Sequence, residues 1–145
     1  NLNYVILRIF NVYGRRQNKQ YAGVISNFIK NVSKDSPLLI YGDGLQTRDF
    51  VSINDVVDAF DAAAAVKTNS SGTYNVASGK SISIKELAKM FLDIYGKKVW
   101  IKYKPAKKED IKYSQADITL AKKELGFNPK ANLKEGLLDL ISVSN

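Results

Sequence analysis

Apolar residues along this chain recur with two alternating periods. The run Val5-Ile-Leu-Arg-Ile-Phe10 is apolar and β-branched, which predicts a mostly buried strand. Asn11-Val-Tyr-Gly14 then reads as a loop leaving that strand. From Gly23 to Val32, the positions Val24, Ile25, Phe28, Ile29 and Val32 fall at helical spacing. Pro37 ends that stretch, Leu38-Leu-Ile-Tyr41 predicts a short strand, and Gly42-Asp-Gly44 predicts a turn. Thr47 to Ile53 alternates polar and apolar residues and reads as extended. Asn54 or Asp55 is a candidate cap for a helix running to about Val66. A loop over Thr68 to Gly72 leads to a second apolar strand, Thr73 to Ala77. Ser83 followed by Glu86 is a capping box, in which side chain and backbone satisfy each other's orphan amides. The helix behind it puts Ile84, Leu87, Ala88, Phe91 and Ile94 on one face and stops at Gly96. Val99 to Tyr103 alternates as a strand, Asp117 opens a helix closed by Gly126, and Leu133 to Ile141 forms the last helix.

Strands alternating with helices define the α/β class, with parallel pairing wherever a helix separates two strands. Val5 to Phe10 and Thr73 to Ala77 have the continuous apolar character of parallel strands covered on both faces. So few strands would not supply neighbours on both sides, so the chain is expected to be part of a larger protein.

Composition narrows the chemistry. The 145 residues suffice for one core. Nothing approaches the run of roughly 20 apolar residues that a membrane helix needs. No basic-then-apolar leader opens the chain, and a cytoplasmic location is expected. Cysteine and histidine are both absent. That excludes disulfides and thiolate metal sites, and it removes the usual nucleophile–base pairs. The formal net charge is +8, part of it in Lys97, Lys98, Lys102, Lys104, Lys107 and Lys108. A positive field favours anionic partners, although a solvated lysine surface accounts for most such residues.

No GxGxxG cradle and no GxxxxGK[ST] loop is present. The carboxylates Asp43 and Asp49 lie in a glycine-rich turn region, and a turn or salt-bridge role suits Asp49. Arg48 follows that turn, and an arginine fork suits a diphosphate because it donates two parallel charged hydrogen bonds. Asn11 stands where the first strand ends, and ligands in α/β sheets bind beyond the carboxyl ends of strands.

Taken together, the motifs are more specific. Leu7-Arg-Ile-Phe-Asn-Val-Tyr-Gly14, Arg16-Gln17 and Tyr41-Gly-Asp-Gly-Leu-Gln-Thr-Arg-Asp-Phe-Val51 with Asp55-Val-Val57 occur in that order. Tyr74-Asn-Val-Ala-Ser-Gly79, Ser83-Ile-x-Glu-Leu87, Pro105-Ala-x-x-x-Asp110, Ala116-Asp117 and Ala121-Lys-x-x-Leu-Gly126 follow. The series resembles the extended short-chain dehydrogenase/reductase family over nearly the whole chain. Within that family it looks most like the UDP-glucose 4-epimerase branch.

The resemblance implies a Rossmann-type, NAD(P)-binding fold of which this is the C-terminal portion. Residues 1–145 would form a small mixed α/β sugar-nucleotide-binding domain, with one or two strands belonging to the Rossmann sheet. Asn11 would hydrogen-bond a phosphate of the sugar nucleotide. Val24, Leu39 and Tyr41 would line the base pocket, and Arg48 would hold the diphosphate. Phe10 would lie against the nicotinamide end of NAD. Lys107 stands where the family usually carries a second phosphate-clamping arginine, and Glu109 replaces the usual glycine; Asp110 keeps its family position. Lysine keeps the charge but loses the fork.

The family's glycine-rich NAD loop and Tyr-x-x-x-Lys pair normally precede this region, and Tyr95-Gly-Lys-Lys-Val99 offers no substitute. No catalytic or metal-binding residue is therefore expected here, and the chain alone should be inactive. The intact parent, expected to be a homodimer, would epimerise a UDP-sugar such as UDP-glucose or UDP-galactose through NAD, binding neither nucleic acid nor membrane. Dehydratases of the family usually carry Arg-Asp-Trp and decarboxylases tend to Arg-Ser-Phe, so Arg48-Asp-Phe-Val51 favours the epimerases. Dehydratase, decarboxylase and reductase readings remain alternatives, as does a stand-alone basic module binding nucleotides or nucleic acid.

Overall fold

A computed structural model describes residues 3–17, 23–66, 71–96 and 99–142. Lys97, Lys98 and most of the loop expected over 68–72 lie outside the described residues. The first strand, β1 (Val5–Ile9), is followed by β2 (Asn11–Tyr13), α1 (Val24–Val32), β3 (Leu38–Tyr41) and β4 (Thr47–Ser52). Then come α2 (Ile53–Ala65), β5 (Gly72–Val76), β6 (Ser81–Ser83) and α3 (Ile84–Tyr95). The chain continues through β7 (Ile101–Lys104), α4 (Thr119–Leu125) and α5 (Leu133–Ser142).

Among the described residues three small sheets result: β1 with β5, β2 with β4 and β6, and β3 with β7. The pairs β1–β5, β2–β4 and β3–β7 are parallel, and β4–β6 is antiparallel. One core lies among α1, β3, α3 and α5, with Phe28 and Phe91 meeting edge to face at 5.6 Å. A second lies among α2, β5 and α4 and includes Val51, Val56, Tyr74 and Phe127. The helical stripes of α1 and α3 fall inward as their spacing predicts, with Ile25, Phe28, Leu87, Ala88 and Phe91 buried.

Several expectations are corrected. Asn11 to Tyr13 is a strand, because the chain changes partner at Phe10. The Phe10 amide still donates to Val76 of β5, whereas Asn11 already stands opposite Phe50 of β4. Strand β1 is not mostly buried. Ile6, Arg8 and Ile9 are exposed, because β1 has β5 on one side and, among the described residues, no strand on the other. The strand β4 does not alternate: Asp49 to Ser52 are all buried, since β4 runs between β2 and β6. Ser52, rather than Asn54 or Asp55, caps α2 by accepting from the Asn54 amide. Asp55 instead turns inward and accepts from the amides of Lys130 and Ala131, tying the approach to α5 onto α2. Asp117 stands two residues before α4, where its carboxylate accepts from the Thr119 amide.

Candidate functional site

A cleft of about 670 Å³ opens between β2, α1, the outer end of β3, β4 and the segment 105–110, a size ordinary for a small-molecule site. Asn11, Val24, Leu39, Tyr41, Arg48, Lys107 and Asp110 all line it. The structure thus brings together all seven substrate-binding candidates named from the sequence, from positions as far apart as Asn11 and Asp110. Phe10 is elsewhere, half-buried against Ala77, Ala116 and Ile118.

Local sequence explains the placement. The turn after β3 needs two left-handed residues, and glycines supply them at Gly42 (φ 74°) and Gly44 (φ 78°). Asp43 braces the turn by accepting from the Leu45 amide at 2.9 Å. This sharp reversal sends β4 back beside the cleft, with Arg48 lining it and Asp49 buried. Arg48 donates to the carbonyls of Thr47 and Ile111 and forms an ion pair with Asp110. Gln46 bridges the same corner, donating to the Tyr41 carbonyl at 2.7 Å and to Asp110 at 3.2 Å. Lys107 sits with its ammonium 4.5 Å from the centre of the Tyr41 ring. On the neighbouring strand β2, Asn11 donates its side-chain amide to the Asp49 carbonyl at 3.1 Å.

The arrangement suits a ligand with an anionic and an apolar part. Three cationic side chains, Lys30, Arg48 and Lys107, line the cleft. Apolar walls from Val24, Ile25, Phe28 and Leu39 flank it. Among the described residues no group of three or more acidic side chains could hold a metal ion, and no helix is long and apolar enough to cross a membrane.

Gln17, Asn27, Asn31, Gln46 and Phe50 also line the cleft, although the sequence assigns none of them a site role. Asn27 and Asn31 stand three and seven residues beyond Val24, the spacing of one helix face. Gln46 lies inside the motif that carried the resemblance. Either signal could have found them.

The family model for the NAD-dependent epimerases and dehydratases matches residues 1–77, more than half of the 145-residue chain, and the chain belongs to that family. Its mixed α/β architecture with parallel sheets is that of the family's Rossmann-like structures. A UDP-glucose 4-epimerase of Thermotoga maritima, solved with UDP-glucose, superposes with a TM-score of 0.90 at 36% identity over 97% of this chain and 45% of that one. A UDP-glucuronic acid 4-epimerase of Bacillus cereus, solved with UDP-glucuronic acid and NAD, gives 0.88 at 34% identity over 97% and 46%. UDP-glucuronic acid decarboxylase 1 of Arabidopsis thaliana is 33% identical over 94% of this chain and 31% of its own length. The chain therefore spans less than half the length of these relatives.

Proposed function

We propose that this chain is the sugar-nucleotide-binding part of an NAD-dependent 4-epimerase of UDP-sugars. The observation that carries the reading is the convergence on one cleft of the seven residues that the family resemblance assigns to the substrate, Arg48 and Lys107 among them. Val24, Leu39 and Tyr41 take the base, Arg48 and Lys107 hold the diphosphate, Asn11 donates to a phosphate, and Asp110 orients Arg48. NAD supplies the hydride chemistry; the residues here grip and orient the sugar nucleotide. Phe10 is the one residue assigned to the nicotinamide end.

Residues 1–145 act in this reading as a C-terminal domain seated on a nucleotide-binding half. The exposed side chains of Ile53, Val57 and Phe60 along α2 offer that half an apolar face, and β1, unpaired on one side among the described residues, offers it a strand edge. Reading the coding sequence upstream of Asn1 tests this: a glycine-rich loop and a Tyr-x-x-x-Lys pair are expected, and their absence rejects the domain assignment.

The ligand assignment is tested by titrating UDP, UDP-glucose and UDP-glucuronic acid into the chain by calorimetry. Binding should depend on the diphosphate and weaken about a hundredfold in Arg48→Ala, the loss of a charged bidentate contact. Equal affinity of that variant would reject the role of Arg48. A second reading, decarboxylation of UDP-glucuronic acid, is favoured by the similarity to the plant decarboxylase. Carbon dioxide release by the intact parent from UDP-glucuronic acid would select it over epimerisation.

A further inference from the structure

Asp49 is fully buried, and neither gripping nor orienting the ligand uses its carboxylate. One of its oxygens accepts from the Ser78 amide at 2.9 Å and the Ser78 hydroxyl at 2.6 Å. The other accepts from the amides of Gly79 at 3.1 Å and Ala116 at 3.2 Å. These neutral donors satisfy an anion that burial would otherwise make costly. Three distant pieces of chain, β4, the loop after β5 and the segment before α4, are thereby fixed on one side chain.

The segment before α4 matters most for the cleft. Residues 105–116 form a strap that follows β4. At its outer end, Lys107 lies on Tyr41, and Asp110 meets Arg48 and Gln46. Further along, the Thr47 amide donates to the Lys112 carbonyl, and the Ser114 amide donates to the Thr47 hydroxyl. At its inner end, the Ala116 amide is held by Asp49. An anionic ligand at Arg48 would draw on the outer contacts, since it competes with Asp110 for the same guanidinium. The strap contacts of the Thr47 amide and hydroxyl and of the Asp49 carboxylate do not involve that guanidinium.

We infer that Asp49 is the positioning residue of this cleft. Its carboxylate anchors the strap that delivers Lys107 and Asp110, and its carbonyl orients Asn11 on the neighbouring strand β2. The residue touches no ligand and acts through those three. For its ligand the inference rests on the sugar-nucleotide reading above; the anchoring itself does not.

Asp55 provides a matched control. It is a second buried carboxylate that accepts from two backbone amides, and it does not line the cleft. Asp49→Asn and Asp55→Asn each replace an accepting oxygen by a donor and orphan buried amides. The first measurement is hydrogen–deuterium exchange on the full chain without ligand. In Asp49→Asn the amides of Ser114 and Ala116 should exchange at least about tenfold faster, as expected when a buried acceptor is lost. In Asp55→Asn they should be unchanged, with faster exchange confined to Lys130 and Ala131. The second is UDP affinity: about tenfold weaker in Asp49→Asn, unchanged in Asp55→Asn. Combining Asp49→Asn with Lys107→Ala should cost much less than the two single losses together, because the two share one strap.

Strap exchange at the wild-type rate in Asp49→Asn would overturn the inference, as would equal acceleration in both variants. Full additivity with Lys107→Ala would do the same. If Asp49→Asn does not fold, Asp49→Ser, which keeps one accepting hydroxyl, takes its place with the same outcomes. A wild-type chain that binds no UDP would defeat the sugar-nucleotide reading and leave the exchange comparison to decide the anchoring.

Discussion

The Lys107 ammonium lies 4.5 Å from the centre of the Tyr41 ring, joining the strap to the last residue of β3. The contact combines cation–π attraction with a position at the cleft mouth, where the charge also faces any anionic ligand. Because an ammonium is a point charge and a guanidinium a planar fork, the two side chains should differ at this place. Lys107→Arg keeps the stacking and adds a second parallel donor, so UDP should bind more tightly by about 1 kcal/mol. Lys107→Met keeps the stem and removes the charge, so binding should weaken by a similar amount and lose part of its salt dependence. Calorimetry at two salt concentrations checks both.

The capping box at α3 supplies a prediction on stability. The Ser83 hydroxyl accepts from the Glu86 amide at 3.1 Å, and the Glu86 carboxylate accepts from the Ser83 amide at 3.0 Å. The Ser83 hydroxyl and then its amide hold the Glu86 carboxyl below its ordinary value. That stabilisation is present above the unfolded carboxylate range and is lost as pH falls through the folded value. Ser83→Ala should cost about 1 kcal/mol in chemical denaturation at neutral pH. The loss should shrink in acid, where Glu86 is protonated in both proteins.

That cap was legible because it is local: four consecutive residues carry the whole interaction. The stripes of α1 and α3 were legible for the same reason, since their period is set by the helix itself. The cleft was legible only through the family-like segments, because no periodicity places Leu39 and Lys107 on one cavity. What failed depended on distant partners. Nothing in Val5 to Tyr13 marks Phe10 as the place where the chain leaves β5 for β4. The inward turn of Asp55 depends on Lys130 and Ala131, and the role of Asp49 depends on Ser78 and Ala116. Without those partners, both carboxylates read as turn or cap residues.

Gly136 shows a packing demand that propensity would miss. It lies inside α5, where replacing glycine by alanine ordinarily gains up to about 1 kcal/mol. Here a methyl group would stand 2.7 Å from Cε2 of Tyr13, whose ring is buried. Gly136→Ala should therefore destabilise by about 1–3 kcal/mol, the usual cost of overpacking a core. A thermal melt decides the sign, and a raised midpoint would mean that α5 shifts away from Tyr13 at little cost.

Tyr13 itself should make the fold sensitive to alkali. Its hydroxyl is pushed up from 10.0 to about 12, first by burial and then by the charge of Asp55 nearby. Below pH 10 the phenol keeps its proton in both folded and unfolded chains, so its contribution to stability is complete. Between pH 10 and about 12 the unfolded chain releases the proton while the folded chain still holds it. The unfolded state then binds fewer protons, and stability must fall as pH rises. Tyr74, raised by its hydrogen bond to Glu124, acts in the same direction, so the wild-type slope alone does not isolate Tyr13. The difference from Tyr13→Phe does. Urea unfolding at intervals from pH 8 to pH 12 should show the wild type losing stability more steeply than the variant above pH 10. Parallel curves would mean that the Tyr13 hydroxyl reaches water in the folded chain, and that the packing of Gly136 against its ring leaves the oxygen open.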